Sequence, residues 1–178
     1  AATIERRQEL LRRAPETAPR DLLTLLLEAD GLSRSEIEDN IITFIGAGHE
    51  TTARALGWAL YLLSQAPEER ARVEAEVDAH DFSDPNPSGW ADRLVYTRAA
   101  FEEAMRLYPP APSLNRAALE DDQVGSVRIP KDASVLVLPW IVHRHRRLWS
   151  RPDDFVPSRF LPDKRGAIDR YQYIPFGL

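Results

Sequence analysis

Apolar residues recur at helical spacing through the first part of the chain, then give way to short apolar clusters set between prolines. Residues 4–13 read as a short amphipathic helix that Pro15 and Pro19 close, and 21–29 as a second, ended by Asp30-Gly31. Ser33-Arg34-Ser35-Glu36 has the spacing of a capping box, in which hydroxyl and carboxylate satisfy each other's free main-chain N–H groups. It opens a helix that runs to about Gln65, roughly 45 Å at 1.5 Å per residue and far longer than the usual ~11 residues. Pro67 stops it and suits the first turn of a helix over 68–79; 81–89 read as a loop, and 96–108 as a helix broken by Pro109-Pro110. The period then changes. Residues 123–129 and 134–138 read as a β-hairpin around a Pro130-Lys131-Asp132 turn. Residues 139–144 form a short helix, and the remainder is mostly coil, a length of structureless chain that usually serves a function. The expected class is mainly α with a small antiparallel β-hairpin region (α+β). One domain falls into a helical part, 1–108, and a Pro-punctuated part, 109–178.

Inside the long helix, Gly46-Ala47-Gly48 is followed at once by His49-Glu50-Thr51-Thr52. Two mid-helix glycines oppose the helix by roughly 2 kcal/mol. Side chains are thus stripped away where an acid and a hydroxyl begin, which suits close approach of a partner and exchange of protons.

The 178 residues are 43% apolar and 29% charged, ordinary for a globular domain with its own core. A net charge of −5 argues against a nucleic-acid binder. Absence of cysteine excludes disulfides and thiolate chemistry from this chain. The histidines at 49, 80, 143 and 145 lack the spacing of a zinc site. No apolar leader opens the chain, and the most apolar segment is interrupted by His49, Glu50 and Arg54, so a cytoplasmic location is expected.

Several constellations have both a plain and a chemical reading. Glu50 can pair with Arg54 at i,i+4, with Thr51 bonded back to the Ala47 carbonyl. Glu103 and Arg106, at i,i+3, are a surface pair or, on a buried face, a pair that needs further partners. Arg159, among the prolines and phenylalanines of 152–160, could be that third partner. Arg144, Arg146 and Arg147 with His143 and His145 form the one local basic cluster, either a solvated face or a surface that steers an acidic partner.

Taken in order, these motifs resemble the C-terminal half of a cytochrome P450, a haem-thiolate monooxygenase. Ala47-Gly48-His49-Glu50-Thr51-Thr52 is similar to that family's oxygen-binding motif, and Glu103-Ala104-Met105-Arg106 to its E-x-x-R, continued by Leu107-Tyr108-Pro109-Pro110. Phe155, Pro157, Arg159 and Phe160 resemble the loop whose arginine completes a Glu–Arg–Arg cluster. Tyr173-Ile174-Pro175-Phe176-Gly177 resembles the entry to the haem-binding loop.

The resemblance implies part of the cytochrome P450 fold with one long central helix, and haem as cofactor. It implies that Ala47 and Gly48 leave room for dioxygen on the distal face of haem. Thr51 and Glu50 would serve as hydroxyl and proton relay. Arg116 would pair with a haem propionate and Phe176 would contact the cofactor, while Phe44, Ser113 and Leu114 would face the substrate. Glu103, Arg106 and Arg159 would be a structural charge cluster. The expected partners are a lipophilic small molecule, O₂ and a redox partner (a ferredoxin or flavoprotein reductase), without nucleic acid. The departure is the axial cysteine, which would fall beyond Leu178, so 1–178 reads as an internal fragment that is inactive and poorly stable alone. The alternatives are a peroxide-using haem-thiolate enzyme and a non-catalytic helical partner-binding module derived from this scaffold.

Overall fold

A computed structural model of the chain describes residues 2–83 and 89–177. Part of the expected 81–89 loop, residues 84–88, lies outside them. The chain divides into two compact units, 1–50 and 51–178, and the division falls within one continuous helix.

In the first unit, α1 (Ala2–Arg13) is followed by a 3₁₀ turn (Pro15–Thr17) and α2 (Leu22–Glu28). Asp21 caps α2 by accepting the Thr24 N–H at 3.0 Å, and Arg7 from α1 grips the same carboxylate at 2.5 and 2.9 Å. The Arg7 hydrogen bond, helped by the capping N–H, holds Asp21 down at about pKa 2. The long helix, α3 (Arg34–Gln65), begins on the expected capping box: Glu36 accepts the Ser33 N–H at 2.8 Å, and the Ser33 hydroxyl accepts the Glu36 N–H at 3.3 Å. No helix among the described residues is long and apolar enough to cross a membrane.

The second unit is built on α6 (Val95–Leu107), which follows α4 (Pro67–Asp78) and the short α5 (Trp90–Arg93). Ala99, Ala100, Ala104, Met105 and Leu107 of α6 are buried, and Trp149 and Phe160 pack with Ala99. No residue of α6 caps its own N-terminus. Glu76 of α4 does so instead, accepting the Tyr96 N–H, the Thr97 N–H and the Thr97 hydroxyl, each at 2.7 Å. Burial pushes the Glu76 carboxyl up, but these donors prevail and its pKa is lowered. Glu76→Ala is expected to destabilise the chain by about 1–2 kcal/mol, read as a lower denaturation midpoint, because α6 loses its cap.

The strands correct one expectation. Residues 123–129 and 134–138 do not pair with each other across the Pro130-Lys131-Asp132 turn. β2 (Asp122–Val124) and β3 (Val127–Ile129) make their own hairpin, while β4 (Ser134–Val137) pairs antiparallel with β1 (Leu114–Ala117), Leu114 opposite Val137. The reason is local chemistry at two turns. Gly125 takes φ +59°, which suits the first central position of a two-residue hairpin turn. The Pro130 turn exists, closed by Ala133 N–H on the Pro130 carbonyl at 3.0 Å, but it passes the chain on to Ala118 through bonds of 2.8 and 3.0 Å. Two small antiparallel pairs result in place of one extended hairpin. The short helix α7 (Pro139–Val142) lies where expected, and the tail adds a 3₁₀ turn (Pro157–Phe160) and α8 (Pro162–Arg165).

Candidate functional site

Two structures in the second unit hold the singled-out residues. The first is a buried charge cluster. Glu103 and Arg106 of α6 are both inaccessible to solvent and meet in a two-point pair, Arg106 Nε to Oε2 at 2.7 Å and Nη2 to Oε1 at 2.8 Å. Arg159 donates to the same carboxylate at 3.2 Å, as does the Val156 N–H at 2.9 Å. Two cations share one anion, and main-chain carbonyls absorb the excess. Arg106 donates to those of His143 (2.7 Å), Pro152 (2.7 Å) and Asp154 (3.0 Å), and Arg159 to that of Arg151 (2.8 Å). The Trp149 ring lies 4.9 Å from the Arg106 guanidinium. All five donor directions of Arg106 are used, two on Glu103 and three that pin residues 143–154 against α6, which a lysine's single charge centre could not do.

The second is an apolar cleft of about 310 Å³, at the small end of the range for ligand and cofactor sites. Thr51, Thr52 and Ala55 of α3, Phe101 and Met105 of α6, Leu114 of β1, and Pro175 and Phe176 line it. Thr51, Leu114 and Phe176, named from widely separated motifs, therefore share one cleft. Next to it, Gly177 takes φ +92°, where an L side chain is strained, and a Cβ there would crowd Leu114 Cδ1 at 3.3 Å. Arg116 is two residues beyond Leu114 on β1 and so on the same strand face; it is exposed and donates to the Asn115 carbonyl at 2.9 Å.

Other singled-out residues lie elsewhere. Ser113 is exposed beside β1. Ala47, Gly48 and Glu50 belong to the first unit, on an exposed stretch of α3. A Cβ at Gly46 or Gly48 would meet nothing within 4 Å, so packing among the described residues does not account for either glycine. Phe44, also in the first unit, lines a separate groove there with Leu22, Ile41 and Ile45.

The basic cluster read at 143–147 is not a cluster in space. Arg146 and Arg147 are exposed, but Arg144 turns inward, donating to the last carbonyl of α6, that of Leu107, at 2.7 Å. Its guanidinium sits 5.1 Å from both the Tyr108 and Trp140 rings, and Tyr108 in turn stacks on Trp58 at 3.8 Å. His143 is fully buried. Adjacent basic residues in sequence were separated by the end of α7, where successive side chains point in different directions. Burial pushes the His143 pKa down to about 4; the nearby carbonyls of Arg106 and Met105 oppose the shift, and the Arg106 charge adds to it. An unfolded chain takes up this proton below pH 6.5, whereas the folded ring resists it until about 4. Stability should therefore fall as pH drops through that window, by about 3 kcal/mol at most from this group. Urea titrations across the window, compared with His143→Gln, should show a flatter profile in the variant.

The cytochrome P450 family model matches residues 1–178. The chain belongs to the cytochrome P450 family. A cytochrome P450 crystal structure (CYP102L1) superimposes with a TM-score of 0.86 at 31% identity, covering 99% of this chain and 42% of that one. Cyclooctatin synthase of Streptomyces melanosporofaciens is 41% identical over 148 residues, 82% of this chain and 32% of the relative. Pentalenene oxygenase of Streptomyces avermitilis is 37% identical over 172 residues, 93% and 38% respectively. Human cytochrome P450 4V2 is 34% identical over 160 residues, 88% and 30%. The chain thus spans about a third of the length of the curated relatives it matches.

Cytochrome P450 proteins bind haem, iron protoporphyrin. The cleft suits such a group: its walls are apolar apart from two threonines, Gly177 leaves its margin free of a side chain, and Arg116 offers a cation on the adjoining strand face. Among the described residues no group of His, Asp or Glu is arranged to hold a metal ion, and the chain has no cysteine.

Proposed function

We propose that the whole protein carrying this chain is a haem-dependent monooxygenase that inserts one oxygen atom of O₂ into a lipophilic organic substrate. The observation that carries this reading is the convergence of Thr51, from the A-G-H-E-T motif, with Pro175 and Phe176, from the haem-loop motif, on one apolar cleft. Relatives of matching sequence include a protein named pentalenene oxygenase, which supports oxygen insertion.

When bound, thiolate-ligated haem supplies the iron and the electron density that favour O–O cleavage. The chain's own residues then have distinct tasks. Phe101, Met105, Leu114 and Phe176 exclude water from the cleft and offer apolar contact to a flat ring. Arg116 would hold a propionate through a charge-assisted hydrogen bond. Thr51 keeps a hydroxyl on the cleft wall, where it holds a water and presents a proton. Glu50, the preceding residue of α3, carries protons from solvent to that hydroxyl. Ala47 and Gly48 keep the helix surface small one turn earlier, and Ser113 and Leu114 contribute to the substrate's surroundings. Glu103, Arg106 and Arg159 do no chemistry; they hold the 143–160 segment in place. The thiolate comes from sequence outside 1–178, so this chain alone is expected to be inactive. Electrons come from a ferredoxin or a flavoprotein reductase.

The test is isotopic. Supplied with an electron donor and labelled dioxygen, the haem-loaded whole protein should place one labelled atom in product per turnover. Label entering only from peroxide, with none from dioxygen, would contradict the proposal.

A further inference from the structure

One buried imidazole in the second unit has no task in the scheme above. His143 follows α7, and its side chain is inaccessible to solvent. Its main-chain carbonyl accepts from Arg106, and its ring Nε2 accepts the N–H of Ile174 at 2.8 Å. A ring nitrogen that accepts carries no hydrogen, so a neutral His143 must hold its proton on Nδ1. That nitrogen is buried and makes no well-aligned hydrogen bond among the described residues, although the carbonyls of Arg106 and Met105 lie near the ring. The Tyr173 ring lies 5.3 Å away. Ile174 is itself buried and leads directly into Pro175 and Phe176 on the cleft wall. One residue thus ties the charge cluster, through its carbonyl, to the cleft wall, through its ring.

We propose that His143 is a positioning residue, whose acceptance of the Ile174 N–H fixes Pro175 and Phe176 on the cleft wall and requires the neutral, Nδ1–H form of the ring. The role in cofactor placement rests on the haem reading of the cleft; the hydrogen bond and its tautomer do not. Geometry explains the requirement. A second proton would set a donor against the Ile174 N–H and place a cation near the Arg106 guanidinium. The charged and titratable groups around the ring are Arg106 and its partner Glu103 on α6, Tyr173 beside Ile174, and Arg144 and His145 following on its own segment. Burial favours the neutral ring, in agreement with this arrangement.

The test uses the whole haem protein in three forms: wild type, His143→Leu and His143→Gln. Nitrogen NMR of the wild-type imidazole should show the Nδ1–H tautomer at neutral pH. Amide exchange at Ile174 should quicken about tenfold in His143→Leu, the effect expected for loss of one hydrogen bond. In His143→Gln it should return towards wild type, because the Gln carbonyl can reach the same N–H. Haem retention should follow the same order. An Nε2–H tautomer, unchanged exchange in the Leu variant, or equal acceleration in both variants would overturn the proposal. If His143→Leu does not fold, the wild-type tautomer and the Gln variant still decide it. Wild-type protein with the expected tautomer and protection but no haem uptake would contradict the haem reading instead.

Discussion

Arg106→Ala is expected to cost about 3–5 kcal/mol of folding stability, a large part of the ~5–15 kcal/mol that holds a typical domain folded. The size follows from what the substitution leaves behind. Glu103 would remain fully buried with its two-point partner gone, facing only Arg159 at 3.2 Å and the Val156 N–H at 2.9 Å. The carbonyls of His143, Pro152 and Asp154 would each lose a donor at the same time. In the whole protein, haem should be lost along with the fold, because residues 143–160 would no longer be pinned beneath α6. Denaturant unfolding and haem content measured on the same preparation check this. A haem-replete Arg106→Ala protein with the wild-type midpoint would refute the structural role of the cluster. Arg106→Lys should be nearly as damaging, since one ammonium cannot reach a carboxylate and three carbonyls in different directions.

Thr51→Ala should behave in the opposite way. The substitution removes a hydroxyl from the wall of an apolar cleft and no packing of consequence, so folding, haem content and substrate binding should be retained. The loss should appear in how electrons are used. Without a hydroxyl to hold water and present a proton, reducing equivalents should leave as hydrogen peroxide. Product per electron should fall about tenfold, as expected when one hydrogen bond of about 1.4 kcal/mol is lost. Simultaneous measurement of product, peroxide and donor consumed gives the answer. Unchanged yield per electron would show that Thr51 has no part in proton delivery.

These two variants mark what sequence could and could not reveal. The limits of α3 were legible because its start is written locally, in Ser33 and Glu36, and its end in Pro67. The E-x-x-R pair was legible as a pair, and Arg159 as its partner, because prolines and aromatics flank each. The carbonyls that complete the cluster were not legible, since every residue carries one and only the fold selects those of His143, Pro152 and Asp154. Remote capping of α6 by Glu76 was hidden for the same reason: the acceptor lies on a different helix from the N–H groups it serves. The pairing of β4 with β1 escaped a reading that favours sequence neighbours, and only Gly125's positive φ explains why β2 and β3 close on each other first. His143 was misread as part of a basic surface because sequence proximity says nothing about which side of a turn a ring enters.

The family assignment carries the fold, and the cleft carries the proposed chemistry. The claim most exposed to test is that Thr51, Leu114 and Phe176 line a haem site in the whole protein. Reduced protein exposed to carbon monoxide should show the absorption band from which the P450 family takes its name. Folded whole protein that, supplied with haem, shows no such band would contradict the account.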